Sequence, residues 1–135
     1  MTIRQTTPPE AYDTLQRDPG TVYLDVRTPE EFAAGHPAGA VNVPVLFFRA
    51  GQSTPNADFV ATVQRLLSPD TALLVGCQAG GRSERGAELL VAAGYRNVTN
   101  VRGGFGGARD ETGRVVIPGW REAGLPVETG GGGKD

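Results

Sequence analysis

The only cysteine of the chain, Cys77, stands at the foot of a glycine-rich stretch, Val75–Gly86 (VGCQAGGRSERG), with Arg82 and Ser83 at its far end. A lone thiol is either a small buried hydrophobe or a nucleophile, and the surroundings of Cys77 favour the second. Ala72–Cys77 (ALLVGC) reads as a buried strand, and the spacing of Ala87, Leu90, Val91 and Gly94 predicts a helix from about Arg82. The turn between them lies at the carboxyl end of a strand, where α/β sheets bind ligands. Free amides and the positive end of a helix dipole stabilise a thiolate there. Gly80 and Gly81 allow the close approach that such an amide nest requires. Arg82 adds a fixed charge able to fork onto an oxyanion. The loop suits a sulfur that carries, or attacks, something anionic.

Counted from Gly76, the same residues read GxxxxGRS, one residue away from the phosphate-cradling GxxxxGK[ST] loop. Arginine replaces the lysine that should reach the phosphates, and the match falls on a late strand. Counted from Cys77, two cysteine chemistries remain. A cysteine-dependent phosphatase or arsenate-reducing loop looks like HCxxxxxR. Here only Gln78 to Gly81 separate Cys77 from Arg82, and Gly76 stands where the histidine would be. The smaller ring favours a sulfane sulfur on the cysteine over a bulkier phosphate ester.

The elements around the loop must position these residues. Thr7-Pro8-Pro9-Glu10 and Thr28-Pro29-Glu30-Glu31 are capping-box sequences with proline at the first helical position, and each announces a helix. Between them Thr21–Val26 (TVYLDV) is a near-continuous apolar run, and Val41–Pro44 (VNVP) reads the same way. Phe59, Val60, Val63, Leu66 and Leu67 keep helical spacing up to Ser68-Pro69-Asp70, and Asn97–Val101 (NVTNV) supplies a last strand. Strands alternating with helices make a parallel α/β domain. Gly103–Pro118 is looser, with Asp110-Glu111-Thr112-Gly113 as a turn, and forms either a lid or a surface hairpin.

At 135 residues the chain fits one domain, which buries roughly two thirds of its unfolded surface. We place that domain at residues 1–128 and read the glycine-rich residues 129–135 as a flexible tail. Thirteen basic residues against fifteen acidic ones, with no Lys/Arg cluster, argue against a nucleic-acid partner. No apolar run approaches the ~20 residues of a membrane span, so no membrane partner is expected. MTIRQTTPPE lacks the regions of a signal peptide, which makes the cytoplasm the default compartment. Reducing conditions there keep a single cysteine free.

The loop CQAGGRS resembles the active-site loop CxxGxRS of the rhodanese family, and the resemblance extends along the chain. Leu24–Pro44 (LDVRTPEEFAAGHPAGAVNVP) is similar to that family's N-terminal signature, in which DVR, EF, GH, GA and a closing proline recur. Leu90–Gly104 (LVAAGYRNVTNVRGG) resembles the segment after the loop, and Gly119–Glu128 (GWREAGLPVE) the C-terminus. The resemblance implies a three-layer α/β/α fold with a five-stranded parallel sheet in the order 1-5-4-2-3. It also implies sulfur transfer through a cysteine persulfide, with no metal, nucleotide or organic cofactor.

By the same resemblance Cys77 is the nucleophile, and Gln78, Ala79, Gly80, Gly81 and Arg82 form the anion cradle. Ser83 sits at the helix start, its hydroxyl near the persulfide or capping the helix. Asp25 and Arg27 take a supporting role as exposed charges at a strand end, pairing with each other or with Glu31. His36 belongs to a turn, GHPAGA, and is not a general base. Trp120 packs in the core. Gln78 is uncharged where the family's thiosulfate users tend to carry a basic residue. The expected donor is thiosulfate or a related persulfide, and the acceptor is cyanide, a thiol or a sulfur-accepting protein. A non-catalytic persulfide carrier or redox-sensing module would use the same thiol. Arg102, Arg109 and Arg114 flank or lie within the loose segment, where a lid would deliver one of them to the anion.

Overall fold

The apolar runs Thr21–Val26, Val41–Pro44, Ala72–Cys77 and Asn97–Val101 each give one strand of a parallel sheet, and each capping-box stretch begins a helix covering it. The computed structural model describes residues 3–131. In chain order the elements are β1 (Arg4–Thr6), α1 (Pro8–Arg17), β2 (Val22–Asp25), α2 (Pro29–Ala34), β3 (Val41–Asn42), α3 (Phe59–Leu66), β4 (Leu73–Gly76), α4 (Gly81–Ala92) and β5 (Val98–Val101). The strands pair in parallel in the order β1-β5-β4-β2-β3, which is the 1-5-4-2-3 order expected.

The period-2 alternation of strand side chains divides the core into two halves. On one face Leu24, Leu73, Val75 and Cys77 pack with Phe59 and Val63 of α3 and with Ala87 and Leu90 of α4. On the other, Tyr23, Leu74 and Val101 pack with Ala11 of α1 and with Phe105 and Trp120. The result is a three-layer α/β/α arrangement. Both capping glutamates reach back as the sequence predicts: Thr7 N donates to Glu10 Oε1 at 3.2 Å, and Thr28 N to Glu31 Oε1 at 3.1 Å.

Outside this sheet, the described residues form antiparallel ribbons. His36–Pro37 pairs with Val127–Glu128, Leu46–Arg49 with Gln52–Pro55, and Ala108–Arg109 with Val115–Ile117. The last of these makes the loose segment a hairpin, closed where Asp110 Oδ1 accepts from Thr112 N and Arg114 N. Its Arg109 is held by Glu122 at 3.3 Å and by Gly113 O, so it is not presented as a lid cation. Trp120 is buried, its indole Nε1 donating to Pro126 O at 2.7 Å, with Tyr12 and Tyr23 edge-on against it. His36 is a buried core histidine. Its ring stacks on Phe32 with centroids 3.6 Å apart, and its Nδ1 lies 2.7 Å from Phe32 O. Gly130 N donates to Ala33 O at 2.8 Å, which ties down the start of the expected tail; residues 132–135 lie outside the described residues. Among the described residues no helix is long and apolar enough to cross a membrane.

Candidate active site

Strand β4 delivers Cys77 directly into a turn that ends at Gly80, the N-cap of α4. Gly80 has φ +133°, a conformation that favours glycine. The carbonyls of Cys77, Gln78 and Ala79 are taken up on one side. Phe105 N donates to Cys77 O at 2.8 Å, Gly106 N to Gln78 O at 2.9 Å and Gly103 N to Ala79 O at 3.1 Å. At position 104 only glycine fits beneath the loop, since a Cβ there would lie 2.2 Å from Cys77 O, while one on Gly106 would displace the Gln78 side chain. With the carbonyls turned toward residues 103–106, the amides turn the other way. Gly80 N donates to Cys77 Sγ at 3.1 Å. Among the described residues the amides of Gln78, Ala79, Gly81 and Arg82 have no hydrogen-bond partner. The N-terminal end of the α4 dipole adds its field to theirs.

The side chains of the loop bond to partners on neighbouring elements. The guanidinium of Arg82 pairs with α2: Nη1 donates to Glu31 Oε1 at 2.7 Å and Nη2 to Oε2 at 3.0 Å. Burial alone would push the Glu31 carboxyl up; the Arg82 hydrogen bond, the bonds from Thr28 and the Arg82 charge outweigh it and hold the group at about 2. The Glu31 hydrogen bond in turn holds Arg82 above its ordinary value, and the charges of Cys77 and Asp25 act in the same direction.

Asp25 and Arg27 are brought together, as one of the two expected pairings had it, but they are buried and not exposed, with side chains only 1% and 3% accessible. Arg27 Nη2 lies 2.7 Å from Asp25 Oδ2, its Nε donates to Asp25 Oδ1 at 3.0 Å, and Nη2 also donates to Gly35 O. The remaining amine, Nη1, donates to Gln78 Oε1 at 3.3 Å. The Phe105 ring lies 4.5 Å from the Arg27 guanidinium. A buried ion pair survives desolvation only when its hydrogen bonds are completed in this way.

Ser83 does not cap α4. Gly80 holds that position, and Ser83 lies buried in the first turn, its Oγ donating to Gly80 O at 3.0 Å and lying against the Asn100 side-chain carbonyl. Asn100 Nδ2 continues the chain to Gln5 Oε1 at 2.9 Å, which connects β1 and β5 to the loop. Sequence reasoning missed Asn100 and the supporting role of residues 103–106. The glycines at 103, 104, 106 and 107 were the signal for the latter. Beneath Gly76 lies the hydroxyl of Tyr23, which is buried without a hydrogen-bond partner among the described residues. Burial, then the charges of Asp25 and Cys77, push this phenol well above its ordinary value and keep it neutral.

A parallel five-stranded sheet with a cysteine loop leading into a helix at its carboxyl edge defines the class: a three-layer α/β domain with its one thiol at the end of a central strand. The family model for the rhodanese-like domain matches residues 7–111, and the chain belongs to that family. It is 38% identical over 109 residues to thiosulfate sulfurtransferase 16, chloroplastic, of Arabidopsis thaliana, covering 81% of each chain. It is 31% identical over 129 residues to thiosulfate sulfurtransferase GlpE of Haemophilus influenzae, covering 96% of this chain and 98% of that one. Among solved structures, Rv0390 from M. tuberculosis superposes with a TM-score of 0.80 at 29% identity, over 96% of this chain and 100% of that one. The matches span between 51% and 98% of the length of such curated relatives.

Proposed function

We propose that the chain is a sulfurtransferase, as these relatives are named, and that it carries the sulfane sulfur as a persulfide on Cys77. The observation that carries this reading is the contact of Gly80 N with Cys77 Sγ inside a loop whose carbonyls face away. Amides so placed stabilise negative charge on the sulfur both before and after transfer, without reorganising. The Cys77 thiolate attacks the outer sulfur of thiosulfate, the S–S bond breaks, and sulfite leaves with the bonding pair. Cyanide or an acceptor thiolate then attacks the outer sulfur of the persulfide, and the Cys77 thiolate is regenerated. Electrons balance within each step, so neither metal nor organic cofactor is required.

Gln78, Ala79, Gly80, Gly81 and Arg82 surround the sulfur, while Ser83, Asp25 and Arg27 hold the loop in place. The donor is thiosulfate or an organic persulfide, and the acceptor is a small thiol or a sulfur-accepting protein, with no nucleic acid or membrane involved. The cytoplasm suits a free thiol of this kind.

Intact mass after treatment with thiosulfate tests the proposal: a gain of one sulfur atom is expected, and it should vanish in Cys77→Ser. No adduct with any sulfane donor would overturn it. Steady-state thiocyanate formation separates enzyme from carrier, since a carrier loads stoichiometrically without turning over. Substantial Cys77-dependent hydrolysis of an aryl phosphate would point instead to the phosphatase chemistry.

A further inference from the structure

Two guanidinium groups are tied to the cysteine loop, and each is matched by a carboxylate of its own. Arg27 is closed onto Asp25 inside the protein. Arg82 is closed end-on onto Glu31, with the Phe48 ring 5.6 Å from its guanidinium carbon. Glu31 does not depend on Arg82 for its position, because Thr28 N and Thr28 Oγ1 both donate to its Oε1 at 3.1 Å. The carboxylate is therefore a fixed part of α2, already in place before any ligand arrives. The residue next to the nucleophile, Gln78, is uncharged, and its Oε1 is turned toward Arg27. Neither of these arginines is thus left without a carboxylate, and what an incoming donor meets at the sulfur is chiefly amide dipoles.

We propose that Glu31 sets the charge of the sulfur donor: by neutralising Arg82 it makes the loop select singly charged sulfane donors, such as organic persulfides, over the thiosulfate dianion. Amide dipoles stabilise one negative charge well, whereas a second charge on the same ligand needs a counter-cation, which Glu31 has already taken. Glu31 acts through Arg82 and touches no reacting atom, so it is a positioning residue. The inference rests on the sulfur-transfer reading above.

Thiosulfate and methanethiosulfonate form a matched pair of probes. Both present a terminal sulfane sulfur on a sulfonyl group, and they differ by one charge. For the purified protein kcat/KM should be higher for methanethiosulfonate. Glu31→Gln keeps an oxygen for the Thr28 bonds but removes the charge, so KM for thiosulfate should fall about tenfold while that for methanethiosulfonate moves less than about twofold. The double variant Glu31→Gln/Arg82→Gln, with the same charge sum as the parent, should return the ratio of the two toward its original value. A purely structural role would move both donors alike and give no such return.

Should Glu31→Gln not fold, Arg82→Gln alone leaves the carboxylate bare and should raise KM for thiosulfate selectively. A donor ratio unchanged in every folded variant, with Cys77 still loaded by both probes, would overturn the role of Glu31 and leave sulfur transfer standing. Failure of both probes to load Cys77 in the parent protein would overturn both.

Discussion

The amide of Phe105 donates to the carbonyl of Cys77 at 2.8 Å, so the residue bearing the nucleophile is fastened by a segment that follows the last strand of the sheet. Gly104, immediately before Phe105, makes that contact sterically feasible. Its φ is +50°, and a Cβ there would lie 2.2 Å from Cys77 O. Gly104→Ala must push the loop and its support apart. Because displacements of about 1 Å at a reacting group cost on the order of a hundredfold in rate, kcat/KM for sulfur transfer should fall by about that factor. Gly113→Ala is the control: it also has a positive φ, +86°, but a Cβ there meets nothing within 4 Å. It should lose stability but keep its rate, and equal rate losses in the two variants would refute the explanation.

Tyr23 buries a hydroxyl that finds no partner among the described residues. Desolvating such a group without a compensating bond costs about 1–3 kcal/mol. Tyr23→Phe should therefore unfold at a higher urea concentration than the parent, with an unchanged denaturant slope. A lower midpoint would mean that the hydroxyl has a bonding partner after all.

The Asp25–Arg27 pair predicts strong non-additivity. Arg27→Met leaves a buried carboxylate without its cation, and loss of one partner of a buried pair costs about 3–5 kcal/mol. Adding Asp25→Asn removes the stranded charge, so the double variant should be more stable than Arg27→Met alone. Urea unfolding of all four proteins closes the cycle, and simple additivity would contradict the pairing.

Glu31 gives acid sensitivity of a defined sign. Its folded-state value of about 2 is below the ordinary 4.5, so the unfolded chain takes up the proton more readily. The stabilisation is complete above 4.5 and is lost as pH falls toward 2. The stability difference between the parent and Glu31→Gln should be constant near neutrality and shrink across that interval. A difference that persisted unchanged to pH 2 would show that the carboxylate's charge contributes nothing.

The central strands and all four helices were legible because their signals are local: apolar runs, capping glutamates, and glycines where a strand turns into a helix. β1 was not, since Arg4–Thr6 is short, polar and at the sheet edge. Only the resemblance supplied its place. The ribbon Leu46–Arg49/Gln52–Pro55 was missed because its turn, Ala50-Gly51, uses positive φ at both residues and carries an alanine where asparagine or glycine is usual. At the site, Cys77 and the glycines declared themselves through spacing. The partner of Arg82 did not: Glu31 is 51 positions away, and its sequence context accounts for it fully as a helix cap. Burial of Asp25 and Arg27 was likewise hidden, because two charges in a DVR triplet look like a solvated strand end until Phe105 and Gly35 O close over them.

The support that residues 103–106 give to the cysteine loop also has a temporal side. During synthesis the thiol leaves the ribosome before residues 103–106, whose amides take up the carbonyls of its loop, and β5, which lies between, pairs with both β4 and the N-terminal β1. Parallel pairing between distant parts of a chain is intrinsically slow. Until residues 103–106 have been made, the carbonyls of Cys77, Gln78 and Ala79 lack the amides that fix them, so the cradle is completed only after the last strand.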